Sequence, residues 1–162
     1  PMEPPVSTAL LRNNFLEIWA PTQAPQASRT EAAERAGMPL EKTRINVTLL
    51  GGGFGRKSKA DFINEAVEIA KAFPGRAARV QWTREDDIRH DYFHTVSGEH
   101  LEASLDRRGK VSGWLHRSVA PTIGSLFDPD PKHQQAFETN MGHNNIPFAI
   151  PNRLKVILER LN

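Results

Sequence analysis

A glycine-rich loop, residues 51–55, is the feature that most constrains how this chain can fold. Four of its five residues are glycine, and Phe54 is the exception. An alternating, β-branched run at 43–50 precedes the loop and an amphipathic run at 61–72 follows it, which predicts a strand, the loop and a helix N-terminus. Glycine lets the backbone take positive φ angles and approach a ligand with no Cβ in the way. We therefore expect an anion-binding loop whose own amides form the binding surface.

The side chains beside the loop favour this interpretation. Arg56, Lys57 and Lys59 supply cationic donors on the helix side, and Phe54 supplies one aromatic ring. The simpler alternative is a tight strand-to-helix turn, which is the usual explanation of a single glycine pair. Three successive glycines, then Phe-Gly, then two cations exceed what a turn needs. Ligand binding is the better interpretation, although the loop alone does not define the ligand.

Two familiar phosphate-binding fingerprints do not fit this loop. A P-loop counted from Gly51 requires a second glycine where Arg56 stands, although Lys57 and Ser58 then follow as required. The dinucleotide fingerprint counted from Gly51 fails at the same residue. RNA-binding Arg-Gly tails are repetitive, whereas this loop is single and lies between ordered-looking segments. The loop is therefore an unusual one.

Composition narrows the class of protein further. A chain of 162 residues, 38% hydrophobic and 25% charged, is enough for an ordinary globular domain with a core. Its net charge of +2 is too small to indicate a nucleic-acid or membrane partner, so we expect no nucleic acid to bind. Cysteine is absent, which excludes thiolate metal ligands, iron–sulfur clusters and cysteine nucleophiles in this chain. The cellular compartment stays open.

The two ends of the chain suggest that it is a piece of a longer polypeptide. Residues 1–5 do not resemble a natural start, and the run at 153–161 reads as a strand that stops in mid-sheet. We therefore expect the remainder of a larger subunit to be its first partner.

The local patterns predict an α+β fold. They predict the following elements: a hairpin of 6–12 and 15–19 with Asn13-Asn14 at its turn, a helix at 25–36 that Thr22 can cap and Gly37 closes, a strand at 43–50, a helix at 61–72, a strand at 78–82, a capped helical turn at 83–88, a long hairpin of 100–105 and 110–120, a surface loop at 124–150, and a last strand at 154–158. This order suits two layers, with helices packed on one face of a mixed β-sheet. We expect 1–162 to be a partial domain of a larger subunit, with a sub-boundary near 90–97.

Other groups in the sequence have a functional and a plainer interpretation. His90 and His94 are four apart, as for a metal site on a helix, but their neighbours favour extended backbone. Glu85-Asp86-Asp87 could serve acid–base chemistry, yet acids behind Thr83 are more commonly a helix cap. Gln23 lies between two prolines at a helix start, where its amide could donate to an oxygen of a ligand. From the residues alone, an ordinary solvated glutamine is the better interpretation of Gln23, and no metal-ligating side chain is predicted.

Three motifs in combination change that judgement. The stretches Trp-Ala-Pro-Thr-Gln at 19–23, Gly-Gly-Gly-Phe-Gly-Arg-Lys at 51–57 and Gln-Trp-Thr-Arg-Glu-Asp-Asp at 81–87 resemble the molybdenum-binding large subunit of the xanthine dehydrogenase and aldehyde oxidase family, nearest to the isoquinoline 1-oxidoreductase beta-subunit type. Residues 2–5, 105–106, 113–117 and 146–152 resemble the same branch. The resemblance therefore covers nearly the whole chain.

The resemblance implies specific residue roles. The glycine loop would lie against the pterin dithiolene and the molybdenum, and Gln23 would donate to an oxo ligand of the metal. Because the dithiolene holds the metal, no side chain need ligate it. The implied cofactor-binding residues are Gly51, Gly52, Gly53, Phe54, Gly55 and Arg56.

The resemblance also implies a reaction and partners. The reaction is hydroxylation of a carbon beside nitrogen, or of an aldehyde carbon, with oxygen derived from water and a small molecule as substrate. Bacterial members similar to this branch use the cytosine dinucleotide form of molybdopterin and pair with a small subunit that carries two 2Fe–2S clusters. The cofactor performs the redox step, and the protein supplies position, donors and a base.

Two departures from the family pattern limit this expectation. Ser58 follows Lys57 where purine-oxidising relatives have a glutamate, so xanthine is not expected as the substrate. The family's general base is a glutamate near the far C-terminus of the full subunit and is not in these residues. We therefore expect this piece by itself to be inactive and to lack the cofactor. The alternative is a non-catalytic paralogue or assembly module whose glycine loop binds phosphate or a partner protein.

Overall fold

The computed structural model describes residues 1–93, 96–127, 135–140, 144 and 146–158. It divides into two compact units, Pro1–Tyr92 and Phe93–Asn162. Among the helices that it describes, none has the length and apolar character needed to cross a membrane.

The first unit is built on a four-stranded mixed sheet. Its strands are β1 (Val6–Arg12), β2 (Phe15–Ala20), β3 (Thr43–Val47) and β4 (Ala77–Gln81), in the spatial order β3-β2-β1-β4. Strand β1 pairs antiparallel with β2 and β4, and β2 pairs parallel with β3. The predicted turn between β1 and β2 is confirmed, since Asn13 and Asn14 both have positive φ angles, 52° and 56°, as a two-residue hairpin turn requires.

Two helices cover one face of this sheet. Helix α1 (Pro25–Ala36) ends at Gly37, whose φ of 67° gives the left-handed cap that glycine allows. Helix α2 (Asp61–Ala72) has an apolar stripe that packs mainly on β1 and β4. The core contains these buried residues: Ala9, Leu16, Ile18, Ala20, Ala32, Ala60, Phe62, Ile63, Ala66, Val67, Ala70, Ala78 and Trp82. The α+β class with helices on one face of a mixed sheet is confirmed here.

The glycine loop joins β3 to α2. The predicted strand over 43–50 is too long, because β3 ends at Val47 and the glycines continue an irregular segment. A short 3-10 turn, Arg56–Ser58, then leads into α2. After β4 comes α3 (Arg84–His90), which begins with a capping box between Thr83 and Asp86 and confirms the predicted cap.

The second unit has a sheet of its own. Strands β5 (Gly98–Leu105) and β6 (Val111–Val119) pair antiparallel, and β7 (Asn152–Leu158) pairs parallel with β6. The long hairpin and the last strand are therefore confirmed as elements, but they form a second mixed sheet.

The segment predicted as a loop at 124–150 holds more structure than expected in its described part. A 3-10 turn, Ile123–Leu126, and the helix α4 (Ala136–Asn140) occur there. The carboxylate of Glu138 accepts from the Gln135 and Ile123 amides and from the Thr122 hydroxyl, which ties the two turns together. Because the link between these two turns depends on the polar side chain of Glu138, hydrophobic periodicity in the sequence does not predict it.

Candidate functional site

The segment before α1 is fixed by its own backbone and by a buried threonine. The Thr22 hydroxyl lies 2.9 Å from the Ser28 hydroxyl, donates to the Lys57 carbonyl at 3.1 Å and accepts from the Ala24 amide at 3.1 Å. The N-cap of α1 is Ala24, so the prediction that Thr22 caps this helix is wrong. Thr22 lies two residues earlier and binds the Ala24 amide from there. The Gln23 amide also donates to the Lys57 carbonyl, at 2.9 Å, so this segment is bound to the end of the glycine loop.

The Gln23 side chain lies against the glycine loop. Its Oε1 atom accepts a hydrogen bond from the Gly55 amide at 3.0 Å, which orients the carboxamide. The Nε2 atom can only donate, and within the described residues it makes no hydrogen bond. The side chain is exposed, so its unused donor can meet a ligand.

The loop makes room for that carboxamide by lacking side chains. A Cβ at Gly53 would lie 2.2 Å from Gln23 Oε1 and 2.3 Å from its Cδ, far inside van der Waals contact. At Gly52, where φ is 95°, a Cβ would meet the Phe54 ring at 2.7 Å. Both positions therefore require glycine for close approach.

Phe54 stands at the tip of the loop and is 83% exposed. Its φ of 49° is in the left-handed region, which costs a residue with a Cβ about 1–2 kcal/mol. Gly55 follows with a φ of 84°, so consecutive residues hold an unusual backbone path. Strain of this kind is retained where the surrounding structure fixes it, commonly at functional sites.

Arg56 points into the protein. Its side chain is 3% exposed, and its Nη1 and Nη2 atoms donate to Asp61 at 2.9 and 2.8 Å. Its Nε lies 3.0 Å from Asp91, and its guanidinium lies 5.2 Å and 5.1 Å from the Trp82 and Tyr92 ring centroids. Burial lowers the pKa of Arg56, but the bonds to Asp61 outweigh it and leave the pKa above its ordinary value. The charge is neutralised within the fold, and a role of Arg56 toward a cofactor stays a prediction.

Lys57 is also used internally. Its side chain is fully buried, and its ammonium pairs with the carboxylate of Glu3. Burial raises the pKa of Glu3, but the bonds from Lys57 and from the Gly51 amide outweigh it, so the pKa lies below its ordinary value. With Arg56 and Lys57 paired internally, the loop can offer a ligand its backbone amides, beside the Gln23 side chain. The Lys59 ammonium lies 5.9 Å from the Tyr92 ring centroid.

The remaining candidates serve the structure. Asp86 caps α3, and Asp87 accepts from Arg84 at 2.5 Å. The His90 ring packs edge-on to Trp82 at 5.8 Å, while His94 lies outside the described residues. Across the part of the chain that the structure describes, no three His, Cys, Asp or Glu side chains could hold a metal.

Sequence reasoning missed Glu3. Its carboxylate accepts from the Gly51 amide at 3.1 Å, across 48 positions of sequence. A pairing over that distance leaves no periodic signal. The one sign in the sequence is the Met-Glu-Pro-Pro stretch at 2–5, which the family resemblance includes.

The site thus consists of a glycine loop held against a glutamine carboxamide on an α+β domain. Residues 1–153 match the family model described as the molybdopterin cofactor-binding domain, and the chain belongs to that family. The resemblance seen in the sequence motifs is thereby confirmed.

The chain is also similar to individual proteins. The chain is 32% identical over 143 residues to isoquinoline 1-oxidoreductase subunit beta of Brevundimonas diminuta, covering 85% of this chain and 18% of that protein. It is 27% identical over 119 residues to the membrane-bound aldehyde dehydrogenase (pyrroloquinoline-quinone) of Gluconacetobacter polyoxogenes, covering 74% of this chain and 15% of that protein. The chain therefore spans less than a fifth of the length of these relatives.

Solved structures share the fold. The aldehyde oxidoreductase from Desulfovibrio gigas superposes with a TM-score of 0.68 over 98% of this chain and 17% of that one, at 16% identity. Likeness at this identity establishes the fold alone, so the chemistry of the site must be argued from its residues.

Proposed function

We propose that this chain is the cofactor-holding part of the large subunit of a molybdenum hydroxylase. One observation carries the proposal: the Gln23 carboxamide is oriented by the Gly55 amide over Gly53, where a Cβ would lie 2.2 Å from its oxygen. This arrangement leaves one oriented amide donor beside a backbone surface that has no side chains. Residues 1–162 then form part of a molybdopterin-binding domain, with a sub-boundary near 90–97.

The residues present fit the molybdopterin group that the family implies. Backbone amides can bind an anionic cofactor when the backbone comes close to it, and Gly52, Gly53 and Gly55 allow that approach. Gln23 Nε2 would donate to an oxygen of the group, and Phe54 would cover one side of it. When bound, molybdopterin and its molybdenum supply the two-electron chemistry of the reaction. We propose the cytosine dinucleotide form.

The side chains of this piece bind and orient, and they do not transfer protons. Arg56 and Lys57 are neutralised by internal carboxylates, and no general base is assigned among the described residues. As the family resemblance implies, we propose that the base comes from another part of the large subunit. The substrate is a small N-heterocycle or an aldehyde, which is consistent with the names of an isoquinoline oxidoreductase and an aldehyde dehydrogenase among the relatives. We propose a small subunit with two 2Fe–2S clusters as the electron-accepting partner.

The test is cofactor analysis of the parent large subunit, purified with its neighbouring subunit. Elemental analysis measures molybdenum, and acid release of the pterin identifies the attached nucleotide. Molybdenum with cytidine monophosphate is the expected result, and turnover of isoquinoline-type and aldehyde substrates should follow. A well-folded complex that lacks molybdenum, or that carries a quinone cofactor, would overturn the proposal and leave the loop as a phosphate- or partner-binding surface.

A further inference from the structure

Glu3 is bonded to the first glycine of the loop in two ways. The Glu3 amide donates to the Gly51 carbonyl at 3.1 Å, and the Gly51 amide donates to the Glu3 carboxylate at 3.1 Å. A Cβ at Gly51 would lie 2.5 Å from Glu3 Cβ, so the two backbones are in close contact. The loop entrance is therefore held by the segment that precedes β1.

Lys57 connects the same carboxylate to Gln23. Its buried ammonium pairs with Glu3, while its carbonyl accepts from the Gln23 amide at 2.9 Å and from the Thr22 hydroxyl at 3.1 Å. A buried ammonium needs a charged partner, because an unpaired charge in the interior is costly. Lys57 thus joins Glu3, through its side chain, to the Gln23 segment, through its backbone carbonyl.

A second cation holds the residues before Glu3. Arg84 donates to the Pro1 carbonyl at 2.8 Å and to the Met2 carbonyl at 2.5 Å. The carboxylate of Asp87, whose side chain is 3% exposed, accepts from Arg84 and fixes the guanidinium. Arg84 therefore holds the residues before Glu3, while Lys57 and Gly51 bind Glu3 itself.

We propose that Glu3 and Lys57 are positioning residues, whose ion pair sets the glycine loop and Gln23 in the arrangement that receives the cofactor. The inference rests on the proposed function and extends it to residues that touch neither the loop tip nor the Gln23 carboxamide. The loop holds positive φ angles at Gly52, Phe54 and Gly55, and such a path persists only when its surroundings fix it. The Glu3–Lys57 pair supplies that fixing at both ends.

The experiment uses the parent large subunit with its neighbouring subunit, and compares Glu3→Ala with wild type. Glu17→Ala is the matched control, because Glu17 is also half-buried and accepts a side-chain hydrogen bond, from Asn46 at 3.1 Å, on the far side of the sheet. Hydrogen exchange of the peptide covering 49–58 is measured before cofactor loading. Molybdenum content and the separate kcat and KM values are measured after it.

The ion pair predicts a specific pattern of results. In Glu3→Ala, exchange of the loop amides should rise about tenfold, since their bonds open locally more often. Molybdenum content should fall several-fold, and kcat per bound molybdenum should fall while KM stays near wild type. Glu17→Ala should leave loop exchange and molybdenum content at the wild-type values.

A second variant removes the risk that Glu3→Ala merely unfolds the protein around an unpaired Lys57. Glu3→Leu combined with Lys57→Met deletes both charges and keeps similar side-chain volumes, so the melting temperature should recover. Loop exchange should remain fast in this double variant, because neither new side chain can accept a hydrogen bond from the Gly51 amide. Wild-type loop exchange and molybdenum content in the double variant would overturn the inference. Absence of molybdenum from the wild-type complex would instead overturn the proposed function, and the exchange data would still decide the role of the pair.

Discussion

The Gln23 carboxamide can lie where it does only because Gly53 has no side chain. In Gly53→Ala the new Cβ would lie 2.2 Å from Gln23 Oε1, so the carboxamide must leave the Gly55 amide. We expect a loss of about 1–3 kcal/mol in stability, as for overpacked sites, together with a marked loss of molybdenum from the parent complex. Gly98→Ala is the control, since a Cβ added there would lie 3.1 Å from its nearest neighbour, a Val119 methyl. Full molybdenum content in Gly53→Ala would contradict the loop assignment.

Gln23 itself can be tested by separating its acceptor from its donor. Gln23→Glu keeps an oxygen for the Gly55 amide but replaces the only donor with a second acceptor, whereas Gln23→Ala removes both. Both variants should accumulate like wild type and should lower kcat, and the glutamate variant should be at least as impaired as the alanine. Steady-state turnover of the parent complex measures this. Wild-type turnover in either variant would exclude a donor role.

At the scale of elements, α3 depends on one carboxylate. The amide and hydroxyl of Thr83 donate to Asp86, which lowers the pKa of Asp86 below its ordinary value of 3.8. A lowered folded-state pKa means that the cap stabilises fully above that ordinary value and is lost as pH falls through the folded value.

Asp86→Ala should therefore lower the thermal midpoint by a constant amount at neutral pH, and by progressively less below pH 3.8. Thermal melts of both proteins from pH 7 to pH 2.5 measure the difference. Glu85→Ala is the control from the same turn, because the carboxylate of the capping box belongs to Asp86. A difference that stays constant through the acid range would contradict the capping role.

Local patterns predicted most elements and could not predict their tertiary partners. The hairpin turn, the cap at Thr83 and the apolar stripe of α2 each depend on residues close in sequence, so the sequence alone predicts their positions. Arg56 and Lys57 were interpreted as donors toward a ligand because their partners, Asp61, Asp91 and Glu3, meet them only in the folded unit. Gln23 was identified through the motif resemblance, and its contact with Gly53 became visible only in three dimensions.

At the scale of the whole molecule, the two units differ in how they are stabilised. The buried apolar core lies between Ala9 and Trp82, within the unit that carries the glycine loop. In the second unit every residue of β5 is exposed. A chain of residues 1–92 should therefore unfold cooperatively on its own, with a single thermal transition by circular dichroism. Gradual melting without a transition would show that this unit needs the rest of the chain.

The bonds that reach back to the first residues set an order of events. Glu3 meets Gly51 across 48 positions, and Arg84 meets Pro1 across 83. Contacts of such long separation form late, because the chain must first lose the entropy of closing those loops. The complete set of bonds around Glu3 therefore includes some, those of Arg84, that cannot form before the start of α3 has been synthesised. A cofactor that reached this chain before α3 was made would meet a Glu3 segment that Arg84 does not yet hold.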